Sequence, residues 1–160
     1  MQYWFRMLLV AVLTSVVGAC GGSDDPPHKT VVDVAQADGR FTVLVEAAAA
    51  ADLVGTLSGP GPLTVFAPTD AAFTALLTEL TITKALLTKV LTYHVLNSRV
   101  LKADVPLATP IATLQGETFT VDSTLAITDK RARKANITAT DVLTANGVIH
   151  VIDKVILPAP

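Results

Sequence analysis

The stretch Gly147-Val148-Ile149-His150-Val151-Ile152-Asp153-Lys154-Val155-Ile156-Leu157-Pro158 decides how this chain is read. Asn146-Gly147 in front of it is a hairpin turn signal, and the β-branched run favours an extended backbone. Pro158 ends the pairing. Together they predict a C-terminal hairpin strand. His150 lies two residues from both Val148 and Ile152, so the three side chains share one face. A histidine there would bond a polar partner inside the fold or pair with His94. No arrangement of the stretch resembles a catalytic motif, so it reads as part of a domain that binds.

Working toward the N-terminus, the strand grammar continues. Ile111 to Leu114 and Thr118 to Val121 flank Gln115-Gly116, Leu125 to Thr128 follows an Asp122-Ser123 turn, and Ile137 to Thr140 precedes the last strand. Before Val95 the spacing becomes helical. Leu86, Leu87, Val90 and Leu91 follow a Thr83 cap and lead up to Tyr93-His94, and Phe73, Leu76, Leu77 and Leu80 follow a cap at Thr69 or Asp70. Leu63 to Ala67 is a short strand whose last residue Pro68 holds extended. Phe41, Leu44, Val45 and Ala48 make one buried face of a longer helix, broken by Ser58-Gly59-Pro60-Gly61-Pro62. Thr30, with Asp33 three residues on, opens a first short helix. Helices first and an antiparallel meander after them, closing on the Thr64 strand, predict a single α+β domain without internal repeats.

The front of the chain carries a targeting signal. Arg6 is its cationic region and Met7 to Val17 its apolar core, too short to span a bilayer. Val17-Gly18-Ala19-Cys20 resembles a bacterial lipobox, which implies cleavage after residue 19 and a lipid chain on Cys20. Cys20 is the only cysteine in the sequence, so no disulfide can form within the chain. In the lipoprotein sorting rule, Gly21 instead of aspartate favours the outer membrane of a Gram-negative cell. The expected organisation is a signal peptide over 1–19, a Gly- and Pro-rich tether over 20–29 containing a solvent-exposed His28, and one domain over 30–160. Removing the signal peptide takes away Arg6 and leaves 11 cationic against 14 acidic side chains. This acidic balance excludes a general nucleic-acid binder. The 51% hydrophobic content looks membrane-like, yet after Cys20 polar residues interrupt every apolar run, so no second spanning segment is expected.

Three separated segments in order carry a family resemblance: Thr64 to Phe73 (Thr-Val-Phe-Ala-Pro-Thr-Asp-Ala-Ala-Phe), Leu91 to Leu96 around Tyr93-His94, and Asn146 to Pro158. They resemble the signature segments of the fasciclin (FAS1) domain, and the likeness extends over nearly all of Thr30 to Pro158. It implies a FAS1-like fold, with N-terminal helices packed on an antiparallel β-sandwich or wedge. It also implies an extracytoplasmic adhesion module, anchored to a membrane through Cys20, that binds a surface protein or polysaccharide. A small-ligand carrier or sensor, with a pocket between helices and sheet, is the alternative. The stretch from Phe73 to Leu91 is short for the family, which suggests a trimmed helical segment.

Thr69, Asp70, Tyr93, His94, Asn146, Gly147, His150 and Asp153 fall in these segments and read as structural residues. Asp70 suits a carboxylate at a helix start. Tyr93-His94 is linked in the family both to core hydrogen bonding and to receptor recognition, and the structural role is the expected one. Asp129-Lys130-Arg131-Ala132-Arg133-Lys134 puts a basic cluster at a turn. It reads as a solvated loop, or as a contact made by Lys130, Arg131, Arg133 and Lys134 with an anionic polysaccharide, lipid headgroup or partner. No catalytic set is expected: Ser23, Ser58, Ser98 and Ser123 all lie outside a Gly-x-Ser-x-Gly elbow. No cofactor is implied, and a metal site built from His94, His150 and Asp70 or Asp153 lacks a close ligand pair. Asn136-Ile137-Thr138 matches a glycosylation sequon, a match that is mostly accidental in the bacterial source the lipobox resemblance implies.

Overall fold

The computed structural model describes residues 29–160. The expected signal peptide, Cys20, His28 and the expected tether up to residue 28 lie outside the described residues. Helix α1 (Val31–Asp38) starts on the expected cap: Thr30 Oγ1 accepts the Asp33 N–H at 3.3 Å, and the Asp33 carboxylate accepts the Thr30 N–H at 2.8 Å. That reciprocal pair satisfies two of the donors a helix start leaves open. Helix α2 (Thr42–Ala50) is shorter than its sequence pattern suggested. It stops at Ala51, Asp52 turns the chain with φ 58°, and a separate α3 (Val54–Ser58) follows, where one continuous helix was expected. Alanine favours helix but does not enforce it, and here the tertiary turn wins.

Strand β1 (Leu63–Pro68) leads into α4 (Asp70–Glu79) and α5 (Lys84–Tyr93). Thr83 caps α5 as expected, accepting the Leu86 N–H at 3.3 Å. Then come β2 (Val95–Leu96), a 3-10 turn, β3 (Ile111–Ala112), β4 (Thr118–Val121), β5 (Ala126–Thr128), β6 (Lys134–Leu143) and β7 (Gly147–Ile152). The seven strands are ordered β2-β1-β7-β6-β5-β4-β3. The fold class is α+β, with one correction. The expected sheet was antiparallel, but β1 and β7 pair in parallel, Leu63 opposite Gly147 through to Pro68 opposite Ile152. Every residue of both strands is buried, as strands covered on two faces must be.

Strand alternation divides the core. Val65, Ala67, Ile149 and Val151 face the helices with Phe41, Leu44, Phe73 and Leu91. Phe66 and Ile152 face the other way, against Tyr93, Phe119, Ile127 and Ile156. The sheet bends so far that its two ends meet. The Leu114 N–H just beyond β3 donates to Val95 O on β2 at 2.7 Å, and the Gln115 N–H donates to Thr92 O. This contact covers edges that would otherwise invite pairing with another chain.

Candidate functional site

The signature residues are placed by α4, α5 and β7, and most of them spend their polar atoms inside the molecule. Thr69 is the N-cap of α4 by backbone position but makes no side-chain cap bond. Asp70 does not cap α4 either. Its carboxylate accepts the Val43 N–H at 2.8 Å, in the first turn of α2, and its own N–H donates to Arg40 O at 3.0 Å. Phe41, the N-cap of α2, has no side-chain oxygen to offer, so Asp70 supplies that cap from another helix. A helix-start carboxylate was expected, and the helix it serves is a different one.

Tyr93 is fully buried. Its hydroxyl donates to Thr118 O at 3.0 Å, and its ring meets Phe119 edge-on at 5.9 Å. Burial holds its phenol well above the ordinary range. His94 lies beneath the helices with both ring nitrogens occupied. Nδ1 lies 2.6 Å from Val90 O, and Nε2 accepts the Ile156 N–H at 3.2 Å. Nδ1 therefore carries the proton. Burial depresses its pKa to about 4, opposed by the Val90 carbonyl and the Asp129 charge.

His150 projects to the opposite face of the sheet, its ring 5.3 Å from that of Phe66. Its Nε2 lies 2.8 Å from Val100 O, and its Nδ1 accepts the Asp141 N–H at 3.4 Å. The sheet separates His150 from His94, so the pairing contemplated from sequence does not occur. Among the described residues, no group of three or more His, Cys, Asp or Glu side chains is placed to hold a metal ion. No helix among them is long and apolar enough to cross a membrane.

Asn146 does more than turn the chain. Its Oδ1 accepts the Val31 N–H at 2.9 Å, and its Nδ2 donates to Leu57 O at 2.8 Å and Gly59 O at 2.9 Å, tying α1 and α3 to the sheet. Gly147 is needed for closeness: a Cβ there would stand 2.1 Å from Leu63 O. Neither residue has a positive φ, yet β6 and β7 pair antiparallel with Leu143 opposite Val148, so the expected hairpin is present. Asp153 accepts the Asn136 N–H at 2.7 Å and the Asn136 amide at 2.8 Å, which locks the side chain of the sequon asparagine.

The basic turn between β5 and β6 is less simple than a solvated loop. Asp129, read from sequence only as a neighbour of the cations, is buried and organises it. One carboxylate oxygen accepts the Arg131 and Arg133 N–H groups at 2.9 Å, and the other accepts the Leu157 N–H at 2.9 Å. An aspartate bonding backbone groups two and four residues on is the available sequence signal for such a clamp. Arg131 Nε donates to Pro158 O at 3.0 Å, and Arg133 pairs with Glu79 at 3.2 Å, so two of the four cations have internal partners. Lys130 and Lys134 stand exposed.

Between helices and sheet, where a carried ligand would sit, the structure leaves an apolar cavity of about 40 Å³ lined by Val32, Ala48, Leu57, Val65 and His94 among others. Ligand clefts hold roughly 300–1,000 Å³, so this space is small for a carried molecule.

The described residues form a closed α+β domain whose signature side chains knit helices to a mixed sheet. The chain is a member of the fasciclin family, with the fasciclin domain model matching residues 39–158. Protein sll1483 of Synechocystis sp. is 44% identical over 137 residues, covering 81% of this chain and 73% of that protein. The transforming growth factor-beta-induced protein ig-h3 of Sus scrofa is 34% identical over 137 residues, covering 83% of this chain but 20% of that protein. The FAS1 domain pair of the insect cell adhesion molecule Fasciclin I superposes with a TM-score of 0.69 at 18% identity. That match covers 82% of this chain and 51% of the other, and it establishes the shared fold.

Proposed function

We propose that this protein is a lipid-anchored, extracytoplasmic fasciclin-domain lipoprotein that mediates adhesion by binding a surface protein or polysaccharide. The observation that carries the reading is the fasciclin membership of the domain, joined to a lipobox-like Val17-Gly18-Ala19-Cys20 in front of it. The signature side chains support it by their engagement. Asp70, Tyr93, His94, Asn146, His150 and Asp153 all bond within the fold, which leaves recognition to the exterior.

Metabolic labelling with a fatty-acid probe tests the anchor. Wild-type protein takes up label and fractionates with membrane, and Cys20→Ser loses both. Adhesion of cells displaying the wild-type chain should exceed that of cells displaying Cys20→Ser. Unlabelled wild-type protein would end the lipoprotein reading.

A further inference from the structure

A groove of about 430 Å³ runs between α4 and the end of the sheet, where the β5–β6 turn meets the bend after β7. It is lined by the exposed Ala71 and Ala75 of α4 and by Arg133, Lys134 and Lys154 together with Glu79 and Asp153. Both carboxylates are already engaged, Glu79 with Arg133 and Asp153 with Asn136. Among the described residues, neither Lys134 nor Lys154 has a carboxylate within salt-bridge distance. Lys134 and Lys154 therefore line the groove without a salt-bridge partner, Lys134 also acting at longer range on the Asp122 carboxylate, on a chain whose net charge is negative.

The scaffold beneath them is fixed. The buried Asp129 carboxylate holds the turn from inside, and Ala132 is kept at φ 58°, a conformation that a residue with a Cβ adopts at a cost. The bend after β7 is fastened to β6 by the Asp153 N–H donating to Asn136 O at 3.1 Å. A held backbone leaves only the lysine side chains themselves to be ordered when a ligand arrives.

We propose that this groove binds an acidic polysaccharide, with uronate carboxylates on Lys134 and Lys154 and a sugar face against Ala71 and Ala75. The inference rests on the adhesion-module reading and names its ligand class. Three observations favour that class. The groove volume lies within the range of ligand clefts. A uronate chain pairs carboxylates with hydroxyl donors, and those hydroxyls can donate to the remaining lone pairs of Glu79 and Asp153. An anionic bilayer would press phosphates against the same two carboxylates with no donor between them, and a concave site meets a flat surface poorly.

The test is to titrate the full chain at low salt with polygalacturonate, with neutral dextran as control and phosphatidylglycerol-containing vesicles as a second arm. The expected result is saturable polygalacturonate binding that added salt weakens, no dextran binding, and weaker vesicle binding. Lys134→Gln combined with Lys154→Gln lowers the affinity about fivefold or more at an unchanged melting temperature. Lys84→Gln combined with Lys102→Gln removes the same charge outside the groove and leaves the affinity within about twofold. The proposal is overturned if wild-type protein fails to bind polygalacturonate or binds dextran or vesicles as well, or if the two double variants weaken binding equally. Cell adhesion that persists without polygalacturonate binding would overturn the groove and leave the adhesion-module reading standing.

Discussion

A methyl group at position 147 would stand 2.1 Å from the Leu63 carbonyl oxygen and 2.8 Å from its carbon, both backbone atoms of the neighbouring strand. Gly147→Ala must therefore push β1 away from β7 where their parallel pairing begins, at a cost of about 3 kcal/mol or more. A melting curve within a degree of wild type would show that the strands can part there without loss. Asp70 acts through an acceptor oxygen, so removal and replacement should separate. Asp70→Ala strands the Val43 N–H at the start of α2 and costs about 1–2 kcal/mol, while Asp70→Asn keeps an oxygen in place and costs less than half as much. Equal losses in the two variants, measured by urea titration, would mean that the charge and not the bond is what α2 needs.

At the scale of elements, the β5–β6 turn separates cations that serve the fold from cations free to meet a ligand. Arg131→Gln loses the bond to Pro158 O from a half-buried side chain and should cost about 1 kcal/mol. Lys130→Gln combined with Lys134→Gln should change stability by less than about 0.5 kcal/mol, since exposed charges contribute little. Calorimetry that ranks the two changes the other way would displace Arg131 from its structural role. The sequence treated all four cations alike, because composition shows charge and not what Asp129 does beneath it. Local rules succeeded where the determinant was local: the Thr30 and Thr83 caps and the Thr118–Val121 strand stand where they were read. They failed where the partner is distant. The α2 cap comes from Asp70, 27 residues further on. The parallel β1–β7 pairing joins segments more than eighty positions apart. A clue to that pairing was present, since Leu63–Ala67 and Val148–Ile152 are nearly unbroken apolar runs of the kind that two covered faces demand.

Across the whole molecule, the segment after β7 is fastened by side chains instead of a strand ladder. His94 Nε2 takes the Ile156 N–H, Asp129 takes that of Leu157, Arg131 bonds Pro158 O, and Glu117 takes the Ala159 N–H at 2.8 Å. Val155, Ile156 and Leu157 are buried beneath these ties, so the two cores and the C-terminal segment should loosen together. His94 makes that closure sensitive to acid. A protonated ring would turn a donor toward the Ile156 N–H and place a charge in a dry site. With its pKa lowered to about 4 in the fold against 6.5 in the unfolded chain, the unfolded state binds the extra proton first as pH falls. Stability is full above about pH 6.5 and declines toward pH 4. By pH 5 the loss from this residue reaches about 2 kcal/mol. The lowered carboxylates Asp33, Asp38, Glu117 and Asp122 act in the same direction, but only from their ordinary range downward, so they leave the interval from pH 6.5 to 5 largely to histidine. Urea unfolding across that interval should show the decline in wild-type protein. In His94→Asn the decline should largely vanish, on a baseline lowered by about 1–3 kcal/mol for the imperfectly replaced bonds. An unchanged pH slope in the variant would mean that the acid sensitivity lies elsewhere, and that Ile156 does not depend on a neutral ring at position 94.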